Sequence, residues 1–229
     1  MYAQVEMPSC EFVDLPGIQA FPSQHFAHSI GLLSKYIKDA DTIVLCVVNA
    51  TSPALGSTAL KMVREAKRLP RTILVLSQSE LVRSEQQIQE RVFDRLLRQS
   101  RDCQHLEGLA DCVAVASCHC KHQHQTSDPG YQAEEQHIFS NMIRDAAPAY
   151  ISEAAQHQLR DSMSTSQLIV KLDKMYHEHV VQQWAPAAVA KTRRRMRQYQ
   201  SQLEMLGPAP QSLTKEAVLQ AVCSQVIQS

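Results

Sequence analysis

The chain has 229 residues, 44% of them hydrophobic and 20% charged, enough for one large core or for a domain with an appendage. Lysine plus arginine and aspartate plus glutamate both number 23, so no global field draws the chain toward nucleic acid or anionic lipid. Six glycines and 5% aromatics argue for helix-rich architecture over a β-sandwich, and the longest apolar run, 43–48, is too short to span a bilayer. The N-terminus lacks a signal-peptide pattern, and seven irregularly spaced cysteines read as reduced thiols of a cytoplasmic protein.

Residues 2–7 and 10–14 read as two strands around a Pro8-Ser9 turn. Phe26, Ile30, Leu33 and Ile37 recur along one face of a helix. The run TIVLCVV at 42–48 is continuously apolar and β-branched, the pattern of a strand covered on both faces. Ser57 can cap a helix carrying Leu60, Val63 and Ala66 inward, and RTILVLS at 71–77 is a second buried strand. Ser84-Glu85-Gln86-Gln87 is a capping box opening a helix with Ile88, Val92 and Leu96 on one stripe. CVAVAS at 112–117 is the last strand, followed by a polar, His-rich loop. Alternation of this kind predicts an α/β fold, a mostly parallel sheet with helices on both faces.

The pattern changes after about residue 147. Residues 167–184 are helical in period, with Leu168, Leu172, Met175 and His179 on one side. Pro186 fits the first turn of a helix but not its interior, which predicts a hinge and a second helix from there to about Leu206. Gly207-Pro208-Ala209-Pro210 ends that helix, and a last one starts near Leu213 with Val218, Val222 and Val226 on one face. The cations of KTRRRMR, 191–197, spread around most of the circumference and read as solvated surface. Cys118, Cys120, His122 and His124 alternate in one segment, but ligands at i, i+2 close a zinc tetrahedron poorly, so a polar loop is expected. No cysteine is marked as a nucleophile.

Asp14-Leu15-Pro16-Gly17, after an apolar stretch, has the form of a loop that grips a nucleotide phosphate. In such loops the Asp holds Mg²⁺, usually through water, and the Gly N–H approaches the γ-phosphate where a side chain would clash. The segments FVDLPGI, LLSKYIKDADTIVLCVVNATSPALGSTALKMVREAKRLPRTILVLSQSELV and YHEHVVQQWAPAAVAKTRRRMRQYQSQLEMLG resemble successive parts of the dynamin superfamily, the conventional dynamins and interferon-induced myxovirus-resistance GTPases above all. The resemblance follows the family's order through nearly the whole chain. It implies an incomplete Ras-like G domain over 1–160, a relay helix of the bundle-signalling type over 161–185, and the start of a helical stalk over 186–229. It also implies GTP and Mg²⁺ as cofactors, with Asp14 and Gly17 as contacts. The implied partners are a dynamin-like relative or a second copy through the stalk helices, with membrane or microtubule association through the family and no nucleic acid. The expected location is cytoplasmic, peripheral to membranes.

The departures are specific. No glycine is followed by lysine, so the phosphate-cradling G-x-x-x-x-G-K-[ST] loop is absent from these 229 residues, and so is the switch threonine. The resemblance places the strand of that loop between the strand ending at Asp14 and the one starting near Thr42, so the sheet is expected to lack it. The guanine motif Thr-Lys-x-Asp falls on Ser77-Gln78-Ser79-Glu80. Gln78 loses the cation that covers the base, and Glu80 carries its carboxylate one methylene farther out. Charge-assisted hydrogen bonds are worth about 1.5–3 kcal/mol each, so a misplaced fork costs tens-fold or more in affinity. The third base-contacting loop reads Ser117-Cys118. The sequence therefore predicts a dynamin-type GTPase relative that is inactive as this chain alone. The alternative is a non-catalytic protein that joins or poisons assemblies of a full-length relative.

Overall fold

The computed structural model describes residues 10–15, 24–99, 106–117, 129–146, 151–207, 214–216 and 218–220. The chain divides into two compact units, Met1–His179 and Val180–Ser229. The strand expected at 2–7, the Pro8-Ser9 turn, Gly17, the His-rich segment from Cys118 to His124 and the stripe residues Val222 and Val226 lie outside the described residues.

The first unit is built on three parallel strands in the order β1 (Val44–Asn49), β2 (Thr72–Ser77) and β3 (Asp111–Ala114). Val44 pairs with Thr72 through to Asn49 with Ser77, and Ile73 with Asp111 through to Leu76 with Ala114. Parallel neighbours need crossovers, and the intervening chain supplies them. α1 (Gln24–Lys38) precedes β1, and α2 (Thr58–Glu65) joins β1 to β2. Between β2 and β3 run α3 (Glu85–Ile88), a π-helical turn Gln89–Phe93 and α4 (Asp94–Leu96). α5 (Pro129–Ala146), α6 (Glu153–Arg160) and α7 (Thr165–His179) follow β3. Both predicted caps form: the Ser57 hydroxyl accepts from Leu60 N–H at 3.3 Å, and the Ser84 hydroxyl from Gln87 N–H at 3.2 Å. Each satisfies an N–H that the first helical turn leaves without an intrahelical partner.

Side chains alternate across a strand, so the sheet has two faces to bury. On one, Cys46, Val48, Leu74, Leu76, Cys112 and Ala114 pack with Ile37, Leu60, Val63, Val92, Phe93, Phe139 and Leu159. On the other, Ile73, Val75 and Val113 are covered by Leu168, Leu172 and Met175 of α7. That cover stops at β2. Leu45 and Val47, on the same face of β1, stay 37% and 61% exposed, so β1 is buried on one face only, against the expectation of two.

Residues 10–14, expected as a strand, are irregular, with Phe12 78% exposed. A strand is fixed by ladder hydrogen bonds and a buried face, and neither is supplied to this segment by the described residues. The two sheet edges differ accordingly. At β3, Ser162 C=O accepts from Ala114 N–H and Ser164 N–H donates to Ala114 C=O, both at 2.9 Å, so a crossing segment satisfies that edge. Among the described residues no strand pairs with the outer edge of β1.

The second unit opens with a π-helical turn, Val180–Trp184, followed by α8 (Ala185–Leu206) with Pro186 in its first turn. Proline there removes no needed hydrogen bond, and Trp184 keeps helical dihedrals, so the backbone stays helical into α8. Gly207 ends α8 at φ 79°, a left-handed value that glycine adopts without a Cβ penalty. No residue of α8 is buried. Val189, Met196, Tyr199, Leu203 and Leu206 are about half exposed or more, and they fall on one stripe at about 3.6 residues per turn. Arg193, Arg194 and Arg197 line a shallow groove with Ala190, Gln198 and Ser201, on the side of the helix away from that stripe.

Candidate functional site at the carboxyl ends of the strands

Ligands of open parallel sheets bind outside the carboxyl ends of the strands. Here that rim is formed by Asn49 after β1, Ser77-Gln78-Ser79-Glu80 after β2, and 115–117 after β3. The Asn49 side-chain oxygen accepts from Thr51 N–H at 2.9 Å and from the Thr51 hydroxyl at 2.7 Å, folding the chain back over the end of β1. The Asn49 amide then donates to the Gln78 side-chain oxygen. Gln78 itself sits at φ 56°, ψ 37°, a left-handed conformation that directs the chain into the turn Ser79–Leu81. Ser79 is buried beneath the rim, its hydroxyl donating to Leu76 C=O at 3.1 Å and its N–H to Val115 C=O at 3.3 Å. Glu80 closes the rim, since one of its carboxylate oxygens accepts from Ser117 N–H at 3.0 Å.

The structure thus brings Ser77, Gln78, Glu80 and Ser117 together. It does not bring Asp14 into the arrangement: Asp14 lies exposed in the irregular 10–15 segment, and Gly17 is outside the described residues.

Residues that pattern reasoning had not singled out hold the rim in place. Glu135 on α5 is fully buried, and its carboxylate accepts from Ala116 N–H at 3.1 Å, Thr165 N–H at 2.8 Å and the Thr165 hydroxyl at 3.1 Å. The Tyr131 hydroxyl donates to Ala116 C=O at 2.9 Å. Two side chains one helical turn apart therefore clamp the loop after β3, and one of them also anchors the first turn of α7. Arg95, also buried, donates to Ser52 C=O at 2.9 Å and secures the loop after β1. The signal for Glu135 was present: it shares an i, i+4, i+7, i+11 stripe with Phe139, Met142 and Ala146, and an acid on a buried stripe needs donors. Cys46, on the buried face of β1, has its thiol pushed up to about 11 by burial, which makes it an unreactive core residue.

Against this geometry, the comparison with protein families is specific. A family model described as "Dynamin family" matches residues 3–79. This segment is a dynamin-family domain. The match includes Asp14, Gly17, Ser77 and Gln78 and stops one residue short of Glu80. No curated protein matches the chain. The three-stranded parallel sheet and the helices after it accord with an incomplete dynamin-type G domain followed by a helical region.

The resemblance implies GTP and Mg²⁺, and two of the rim side chains that would face the base are engaged within the protein. Guanine recognition needs a carboxylate with its acceptors turned outward and a long cation stem over the base. Glu80 spends an acceptor on Ser117 N–H, and Gln78 carries no charge and is tied to Asn49. Among the described residues no group of three or more His, Cys, Asp or Glu side chains is placed to hold a metal ion.

Proposed function

We propose that this chain is a dynamin-type G-domain segment with relay- and stalk-type helices that does not turn over GTP on its own residues. The observation that carries the reading is the rim itself. It lies at the carboxyl ends of β2 and β3, where the resemblance puts the guanine site, and its carboxylate and its Gln78 side chain are engaged within the protein. Phosphoryl transfer depends on positioned donors around the phosphates, and the 229 residues contain no Gly-Lys pair to begin that cradle. The test is Mg²⁺-dependent GTP hydrolysis by the purified chain beside its Asp14→Ala variant. Equal background rates are expected; turnover that Asp14→Ala abolishes contradicts the proposal.

The half-open β1 favours a second reading, in which the chain joins assemblies of a dynamin-like relative as a non-catalytic partner. Leu45 and Val47 present apolar surface on a strand whose outer edge has no ladder partner among the described residues. Such strands pair with another chain unless something blocks them. Mixing the chain with a purified dynamin-like GTPase should then change that enzyme's assembly-dependent turnover, and Val47→Lys should remove the effect. A chain that elutes alone and leaves the turnover untouched counts against this reading.

A further inference from the structure

His179, the last residue of α7, is buried, and its two ring nitrogens meet unlike groups. Nδ1 lies 2.7 Å from Arg71 Nη1, and Nε2 lies 3.5 Å from Asp41 Oδ1. An arginine guanidinium is always protonated and only donates. The short contact therefore requires a lone pair on Nδ1, which places the ring proton on Nε2, toward Asp41, and makes the imidazole neutral. Arg71 is itself held in place, since its Nη1 also donates to Ala40 C=O at 3.2 Å. Arg68 stands beside it, donating to Thr42 C=O at 2.6 Å and Ala40 C=O at 3.4 Å. The end of α7, the turn Leu69–Arg71 and the turn at 39–42 are thus tied together through one unprotonated nitrogen.

We propose that this contact is an acid-sensitive latch that releases the C-terminal turn of α7 when His179 takes up a second proton. That proton has to sit on Nδ1, where it would point at a guanidinium donor 2.7 Å away, with the Arg68 charge close behind. Two features oppose release: Asp41 and the neighbouring Glu178, each of which favours a cation. Asp41 is 3.5 Å away with its side chain 70% exposed, so solvent screens it, whereas the Arg71 contact is direct. The latch is closed as long as Nδ1 carries no proton. It weakens as pH falls below about 6.5, the unfolded value. The inference is independent of the nucleotide reading.

Hydrogen exchange of the full chain tests this, followed by mass spectrometry on a peptide covering 172–182 and corrected for intrinsic rates. Protection should fall by roughly tenfold per pH unit below about 6, the slope for uptake of one proton. His179→Gln, which can accept from Arg71 and carries no titrating ring, should remove that slope, and so should Arg71→Met, which removes the opposing donor. The His179 ring resonance should titrate below the ordinary value in the wild type and move upward in Arg71→Met. A pH-independent wild type overturns the latch, as does a slope that survives both substitutions. A His179 resonance that titrates at or above the ordinary imidazole value does so even if one variant folds poorly.

Discussion

Glu135→Gln changes one buried atom and should be among the most damaging single substitutions in the first unit. The carboxylate takes three donors on two oxygens: Ala116 N–H and the Thr165 hydroxyl on Oε1, and Thr165 N–H on Oε2. An amide offers one oxygen, so in either orientation its NH₂ faces at least one of these donors. Loss of a charge-assisted bond costs about 1.5–3 kcal/mol, and a buried N–H left unpaired adds about 1–3 kcal/mol. With partial relaxation we expect about 3 kcal/mol in all. For a slope of about 2 kcal/mol per molar urea, the unfolding midpoint should drop by about 1–2 M. Glu135→Ala should cost as much or more, because it adds a cavity and leaves three donors without an acceptor. Urea unfolding followed by circular dichroism measures both. A Glu135→Gln shift below about 0.3 M would refute the inference that this side chain ties the loop after β3 to the start of α7.

Cys46 gives a prediction at alkaline pH. Its thiol titrates near 9 when unfolded and at about 11 when folded, so between those values the unfolded chain releases a proton that the folded chain keeps. Stability should therefore be undiminished below pH 9 and fall between pH 9 and 11, by about 2–3 kcal/mol more than in Cys46→Val, read from urea midpoints across that range. A parallel decline in both proteins would remove Cys46 as the cause. Lys171→Met should cost about 1–2 kcal/mol, because the ammonium group bridges Asp111 at 2.7 Å and the Ser162 hydroxyl at 2.9 Å in a half-buried setting. If thermal melting is unchanged, the bridge contributes nothing measurable.

The elements legible in the sequence were those whose signal is local. Thr72–Ser77 is a continuous apolar run and is buried along nearly its whole length; Ser57 and Ser84 cap helices because their hydroxyls need only reach three residues ahead. Residues 10–14 and β1 show where local signal runs out. An apolar run records the cover a strand was built to have, whereas the ladder partner of 10–14 and the cover over Leu45 and Val47 depend on other parts of a fold. The π-turn at Gln89–Phe93 was hidden for a related reason, since a one-residue slip leaves Ile88, Val92 and Leu96 on the inward stripe. At the rim, Gln78, Glu80 and Ser117 are assigned by the resemblance, on the positions that match the family's base-contacting motifs. Their mutual hydrogen bonding, and the roles of Asn49, Tyr131 and Glu135, follow from contacts between segments that no spacing rule encodes.

The central claim is that the rim after β2 and β3 keeps the position of a guanine site without its binding capacity. Titration calorimetry of the chain with GDP and Mg²⁺ tests it most directly, because GDP probes the base site without requiring γ-phosphate contacts. The account predicts no saturable heat at ligand concentrations up to about 1 mM, a binding free energy no better than about −4 kcal/mol. Micromolar binding that is lost in Glu80→Ala would contradict it.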